Sequence, residues 1–444
     1  MFAHRPACKA LRHSRESWNP FPLRHRSLES RNPLSLARSA VRWSWAASRA
    51  SAATLAVFGC ASARSQPAGE PAPGSPPAHA YFAYVVSESA DQISVIRFDS
   101  SGAKVVETLR TGLMPAEING PHGIVVAPDG DDYYVSVAHG SPFGTLWKYS
   151  TDSNVVEGRT TLGMFPASVA ITPDGEFVYV ANFNVHGDMV PSSVSVVAAE
   201  AMLEVARIAT CTMPHGSAIN TAGTRHYSTC MMDDMLVEID TRTLSVSRHF
   251  RLTSGSEHGM AGAPHVPAAR LHRADHAANP EGGASHAGRD SDHHGGVTCS
   301  PTWAQPSADG SSVYVACNKA AEIVEIDATS WAVSRRFQAG KGVYNLGVTP
   351  DGRMLVATNK SEQSISVFEL SNGTELARIS TGRPVVHGVA ISPDSRYAFI
   401  SVEGIGAEPG TVEIIDLRSL RSVARVDVGQ QAAGIDFWKM EEGS

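Results

Sequence analysis

Between about residues 81 and 439 the chain repeats one arrangement of apolar and polar positions. A short apolar run stops at a polar turn: Ala-Pro-Asp129-Gly130, Thr-Pro-Asp174-Gly175, Ser-Ala-Asp309-Gly310, Thr-Pro-Asp351-Gly352 or Ser-Pro-Asp394-Ser395. A second apolar run follows, as in Tyr-Tyr-Val-Ser-Val137, Val-Tyr-Val-Ala-Asn182, Val-Tyr-Val-Ala-Cys317 and Leu-Val-Ala-Thr-Asn359. Next comes an alternating strand (Ser-Val-Ser-Val-Val197, Ile-Val-Glu-Ile326, Ile-Ser-Val-Phe368), then a weaker fourth strand that closes on Gly163, Gly340, Gly382 or Gly429. The turn aspartates suit their places because their side chains fold back onto the backbone. Four short strands recurring every 40–50 residues or so cannot bury their faces singly, and they predict stacked blades. The expected class is therefore all-β, a seven-bladed β-propeller.

The first blade shows outer strands at 81–87, 92–98 and 104–109 but no innermost strand of its own. Ala-Gly-Ile-Asp-Phe-Trp438 is expected to supply it, so that the C-terminal strand completes the first blade and closes the ring, leaving no exposed edges there. Blades two to seven fall at 113–163, 164–211, 212–255, 299–340, 341–382 and 383–429, within a propeller spanning 81–440. A loop insertion at 256–298 separates blades four and five. It is rich in Gly and Ala and holds His258, His265, His272, His276, His286, His293 and His294. A loop this long in a compact domain is a lid or a solvated insert, and His-rich tracts bind Zn, Cu or Ni weakly.

Through its Pro-Asp-Gly turns and the Tyr-Val-Ala-Asn182 and Leu-Val-Ala-Thr-Asn359 runs, the repeat resembles the YVTN-type (YncE-like) propeller family. The resemblance covers residues 81–439 and implies the fold. It implies no activity, since the family includes many exported proteins of unknown role. The architecture also has haem- and copper-enzyme relatives, but this chain has no Cys-x-x-Cys-His haem attachment sequence and no second copper domain. It also has no Trp-Asp dipeptide.

The formal net charge of −7 is unevenly placed. Residues 1–66 hold ten Arg and Lys9 against Glu16 and Glu29, a balance of +9, which leaves −16 for the remainder. An acidic body without a basic stripe argues against nucleic-acid binding. Within 1–66, a basic stretch at 42–49 precedes Ala-Ser-Ala-Ala-Thr-Leu-Ala-Val-Phe-Gly59 and a small-residue zone, the pattern of an export leader. The apolar part is too short to span a bilayer permanently. Val57-Phe-Gly-Cys60 loosely matches a lipoprotein signal, so Cys60 is a candidate lipid anchor. Residues 67–80 form a Pro/Gly/Ala linker. The expected location is periplasmic or extracellular, with an outer-membrane lipoprotein as the variant, and the expected state is a monomer.

In each blade the innermost strand runs down to the Asp-Gly turn and the second strand returns, so the lead-in loops and the loops after the second strands share one face, here called the top. Eight residues before the turn glycine, at the top of the innermost strand, stand His122, Ala167, His215, Thr302, Tyr344 and His387, with Ala433 on the closing strand. Composition alone would place about 0.3 His at seven positions. Three imidazoles at the mouth of the channel suit Zn, Cu or Fe with an open coordination position. The bland alternative is that they cap channel water or neighbouring carbonyls.

Cys211, Cys230, Cys299 and Cys317 cluster at and within blades four and five. In an oxidising compartment they favour the disulfides Cys211–Cys230 and Cys299–Cys317. The competing reading is a copper site built from His215, Cys230 and Met213. His139, His186, His258 and His265 are secondary ligand candidates on the same face. Two functions follow: a binding module whose top face takes a transition metal, a small molecule or a partner protein, or an oxidoreductase dependent on copper or another metal such as zinc, with its site at the channel mouth. A lactonase-type hydrolase ranks last, because Glu117 is the only acid the pattern sets near the axis.

Overall fold

The computed structural model describes residues 76–112, 118–139, 144–264 and 298–442. They form a seven-bladed β-propeller of antiparallel sheets, with each blade's strands paired in chain order from the axis outwards. The innermost strands of blades two to seven are Pro121–Val126, Pro166–Ile171, Pro214–Ile219, Pro301–Pro306, Val343–Val348 and Val386–Ile391. Blade one is completed by Ala432–Glu442, which pairs with His79–Ser87 so that Val85 lies opposite Ile435.

The apolar residues of the second and third strands meet between blades. Tyr134, Leu146 and Val180 pack at one such interface, Tyr227, Phe250 and Val315 at another, and Tyr81, Phe399 and Ile414 at the junction of blades seven and one. An apolar cluster fills each of the seven interfaces. The stacking of blades thus buries faces that a single sheet leaves exposed. The turn aspartates behave as turn formers: Asp309 Oδ1 accepts from the Ser307 and Ser311 hydroxyls at 2.6 and 2.8 Å and from the Ser311 N–H at 3.0 Å. These bonds lower its carboxyl pKa to about 2.

One boundary differs from expectation. His258–Ala261, read from sequence as the start of the insertion, forms a fifth strand on the outside of blade four, pairing with Ser245–Arg251. The cause is Gly259. A Cβ there would lie 2.3 Å from Trp331 Cδ1, so only glycine lets the indole of blade five cover the strand. Trp331 Nε1 then donates to the His249 carbonyl at 2.9 Å. Residues 1–66, with Cys60, lie outside the described residues, as do most of the linker, Glu117, and His265 with the rest of the insertion's histidines.

Candidate functional site: the mouth of the central channel

The histidine level owes its inward aim to a local defect. In all seven blades the pairing between the innermost and second strands slips at this level, for example between Pro121 and Ile124, Pro214 and Ser217, and Val386 and Val389. A bulge of this kind re-aims a side chain. The N–H it strands is taken by a hydroxyl of the second strand: Gly123 donates to Ser136, Gly216 to Thr229, Asn345 to Thr358 and Gly388 to Ser401, at 2.8–3.0 Å. Ser136, Thr358 and Ser401 in turn donate to carbonyls of the next blade, those of Ala167, His387 and Ala433. The glycines serve this close approach between blades. A Cβ on Gly123 would sit 2.2 Å from the Ala167 carbonyl oxygen, and one on Gly434 2.6 Å from that of His122.

His122, His215 and His387 do come together. The His122 ring centroid is 5.5 Å from that of His387 and 6.4 Å from that of His215, edge to face in both cases. They are not three equivalent free ligands, because His122 and His215 are hydrogen-bonded to other residues. His215 Nδ1 donates to the Thr302 carbonyl at 2.9 Å, and the Tyr344 hydroxyl donates to His215 Nε2 at 2.8 Å, so both nitrogens are engaged. His387 Nδ1 faces the Ala433 carbonyl without reaching hydrogen-bonding geometry. Among the described residues, no group of three or more His, Cys, Asp or Glu is arranged to hold a metal ion. Burial, followed by the charge of His122, lowers the His215 pKa to about 3. Burial and the nearby Lys360 hold His387 well below its ordinary range. Both rings are therefore neutral at physiological pH.

A second ring, missed in the sequence, lies directly above. It consists of the residue after each second strand: Glu88, Ala138, Phe183, Met231, Asn318, Lys360 and Glu403. Glu88 is buried and accepts from His122 Nδ1 at 2.6 Å and from His139 Nε2 at 2.9 Å. Burial alone would raise its carboxyl, but the charge and hydrogen bonds of these two histidines prevail and hold it at about 2. The same carboxylate raises His139. Lys360 Nζ lies 2.7 Å from Glu403 and 4.3 Å from the centroid of the Tyr344 ring. Burial opposes its charge, yet Tyr344 and Glu403 keep its pKa above the ordinary lysine value. Part of the mouth is aromatic: Phe165 stands against His122, His139 and His186, and Phe183 against His215. The strand register reveals this ring once residues are counted past the second strand as well as before the turn.

The soft-ligand reading of blade four does not hold. Cys230 is bonded to Cys211 and Cys317 to Cys299, with Cα separations of 5.8 and 4.4 Å. These bridges stand where other blades use an amide. Asn182 and Asn359, also last in their second strands, accept from the N–H groups of Gly163 and Gly340 at 3.0 and 3.1 Å. Cys211 occupies the position of those glycines, so the disulfide is a covalent version of the same tie between a blade and its lead-in. Met213 adopts a left-handed backbone (φ 56°), and its carbonyl accepts from the Met231 N–H. His258 sits on the outermost strand of blade four, four strand spacings or about 19 Å from the innermost. It cannot reach the mouth. His139 and His186 do belong to the mouth, with ring centroids 5.8 Å apart.

Comparisons with known proteins agree on the architecture. The sequence model of the family Lactonase, 7-bladed beta-propeller matches residues 61–187. No curated protein matches the chain in sequence. Among solved structures it is similar to the hydrazine synthase of Kuenenia stuttgartiensis, with a TM-score of 0.52, 20% identity, 73% of this chain covered and 91% of that one. It is also similar to a functionally unknown protein of Desulfotomaculum acetoxidans, with a TM-score of 0.56, 14% identity, and 80% and 98% of the two chains covered. A Bacteroides uniformis protein provisionally called a 6-phosphogluconolactonase has a TM-score of 0.56, 14% identity, and 80% and 99% covered. At these identities the likeness is one of fold: the chain is a seven-bladed propeller with lactonase-type structural neighbours.

Proposed function

We propose that the protein is an exported binding module whose top mouth seats a small anionic molecule with an apolar body. The observation that carries this reading is the layering of charge. The side chains of Glu88 and Glu403 are 9% and 14% exposed, whereas those of His139 and Lys360 are 35% and 29% exposed. The carboxylates lie beneath and sustain the cations, which face outwards, with Phe165 beside His139 and Phe183 beside Phe165. An anion meets the two cations, and its apolar part meets the aromatic wall. Two disulfides and the basic-apolar leader support export.

Benzoate, with benzyl alcohol as its neutral counterpart, tests the seat by ligand-observed NMR or calorimetry. Benzoate is expected to bind and to lose at least tenfold in affinity with Lys360→Met, while Phe183→Ala weakens both compounds. Equal binding of benzoate and benzyl alcohol would remove the anion reading. The family match over 61–187 favours one further reading, ring-opening hydrolysis of a lactone, because that segment contains Glu88, His122 and His139. Acid release from δ-lactones, followed at constant pH, would be abolished by Glu88→Gln on this reading. Rates at the uncatalysed background would leave binding alone.

A further inference from the structure

Below the histidines the innermost strands enclose a channel of about 420 Å³. Its wall is mostly small or aliphatic, with Ala170, Ala218, Val389 and Ile435 among the lining residues. Two polar side chains in this wall keep acceptor capacity that the described residues do not use. Asn345 is only 7% exposed, and its side-chain oxygen makes no hydrogen bond. Asp436 accepts only from the backbone N–H groups of Val126 and Phe437, at 2.8 and 2.9 Å, and no described cation pairs with it. A buried acceptor left unpaired, as on Asn345, costs roughly 1–3 kcal/mol unless water or a ligand meets it. Asp436 also borders an open depression of about 560 Å³ on the bottom face, whose rim carries the exposed carboxylates Asp129, Asp131 and Asp152. The one lysine of that rim, Lys439, lies 2.8 Å from Glu441. Carboxylates around a low-dielectric opening concentrate cations there.

We propose that the channel is a second binding site, distinct from the mouth, for a small aliphatic amine that enters from the bottom face, seats its ammonium on Asp436 and donates from its far end to Asn345. Asn345 is third and Asp436 fifth along their strands, a difference in level of about 7 Å, which a chain of roughly four carbons spans. The neutral rings of His215 and His387 form part of the channel roof, and His122, the third ring there, is paired with the Glu88 carboxylate. Burial raises the Asp436 carboxyl to about 6, so the carboxylate needed for the amine predominates at pH 7.5 and gives way towards pH 5.

The test uses 1,4-diaminobutane and 1,4-butanediol with the full chain, by calorimetry and saturation-transfer NMR. The diamine is expected to bind at pH 7.5, with at least tenfold loss in Asp436→Asn and a comparable loss in the unaltered protein at pH 5; the diol does not bind. Asn345→Leu, which suits the apolar wall, is expected to weaken the diamine severalfold and provides a second variant should Asp436→Asn fail to fold. Absence of diamine binding at pH 7.5, or binding unchanged in Asp436→Asn and at pH 5, would overturn the site. Binding lost with Glu88→Gln instead would assign the amine to the mouth and likewise overturn it.

Discussion

Replacing Glu88 by glutamine removes one charge from beneath the mouth while keeping the side chain's size and one acceptor oxygen. Glu88 is buried between His122 and His139, and its carboxyl is held at about 2 against an ordinary 4.5. At about 1.4 kcal/mol for each tenfold change in the proton equilibrium, that depression is linked to about 3 kcal/mol of folding stability. Because the folded value lies below the unfolded one, the contribution is complete above pH 4.5 and drains away as the pH falls towards 2. His139 acts in the opposite sense. Its raised pKa supports the fold below its ordinary 6.5, and that support is lost as the pH rises through the folded value. Its side chain is 35% exposed, so solvent screening makes this the smaller effect. Urea unfolding, followed by tryptophan fluorescence with both disulfides intact, should show Glu88→Gln less stable by about 2–3 kcal/mol at pH 7. The difference should narrow at pH 4 and fall to about a quarter of its pH 7 value at pH 2.5. A gap that stays constant from pH 7 to pH 2.5 would refute the charge account and attribute the loss to packing.

Tyr344→Phe strips the donor from His215 Nε2 and leaves a buried nitrogen unpaired, an expected loss of about 1–3 kcal/mol in the same unfolding assay. The paired variant Cys299→Ser/Cys317→Ser opens a bridge of sequence separation 18 and should cost about 3 kcal/mol, read as a lower Tm that a reductant no longer changes at this bridge. Gly434→Ala places a Cβ 2.6 Å from the His122 carbonyl oxygen. It should destabilise by about 1–3 kcal/mol or prevent ring closure, whichever limited proteolysis of blade one detects. Since both His215 nitrogens are engaged, His215→Ala should leave any zinc or copper content of untagged protein unchanged by elemental analysis.

The blades were readable because each turn and second strand repeats its chemistry: the Asp-Gly pairs end the innermost strands, and the Tyr-Val runs fill the interfaces. The convergence of His122, His215 and His387 was readable too, since a fixed count from the turn glycine places all three at one level. Their bonding was not. Whether an imidazole nitrogen is free depends on Thr302 and Tyr344 of neighbouring blades, which no local pattern couples to it. Glu88, Lys360 and Glu403 escaped notice because they begin loops, where residue type does not repeat from blade to blade. The four-residue strand His258–Ala261 is too short for an alternation to show, and its reason for forming, Trp331, belongs to the next blade.

The pairing of Val85 with Ile435 also dictates an order of events during biosynthesis. The ring cannot lock until every intervening blade has left the ribosome, and until then the earliest blade presents a bare inner edge. A contact spanning nearly the whole domain closes slowly, because the loop entropy must be lost before the pairing compensates for it. A nascent chain of this design stays unlocked through most of its synthesis.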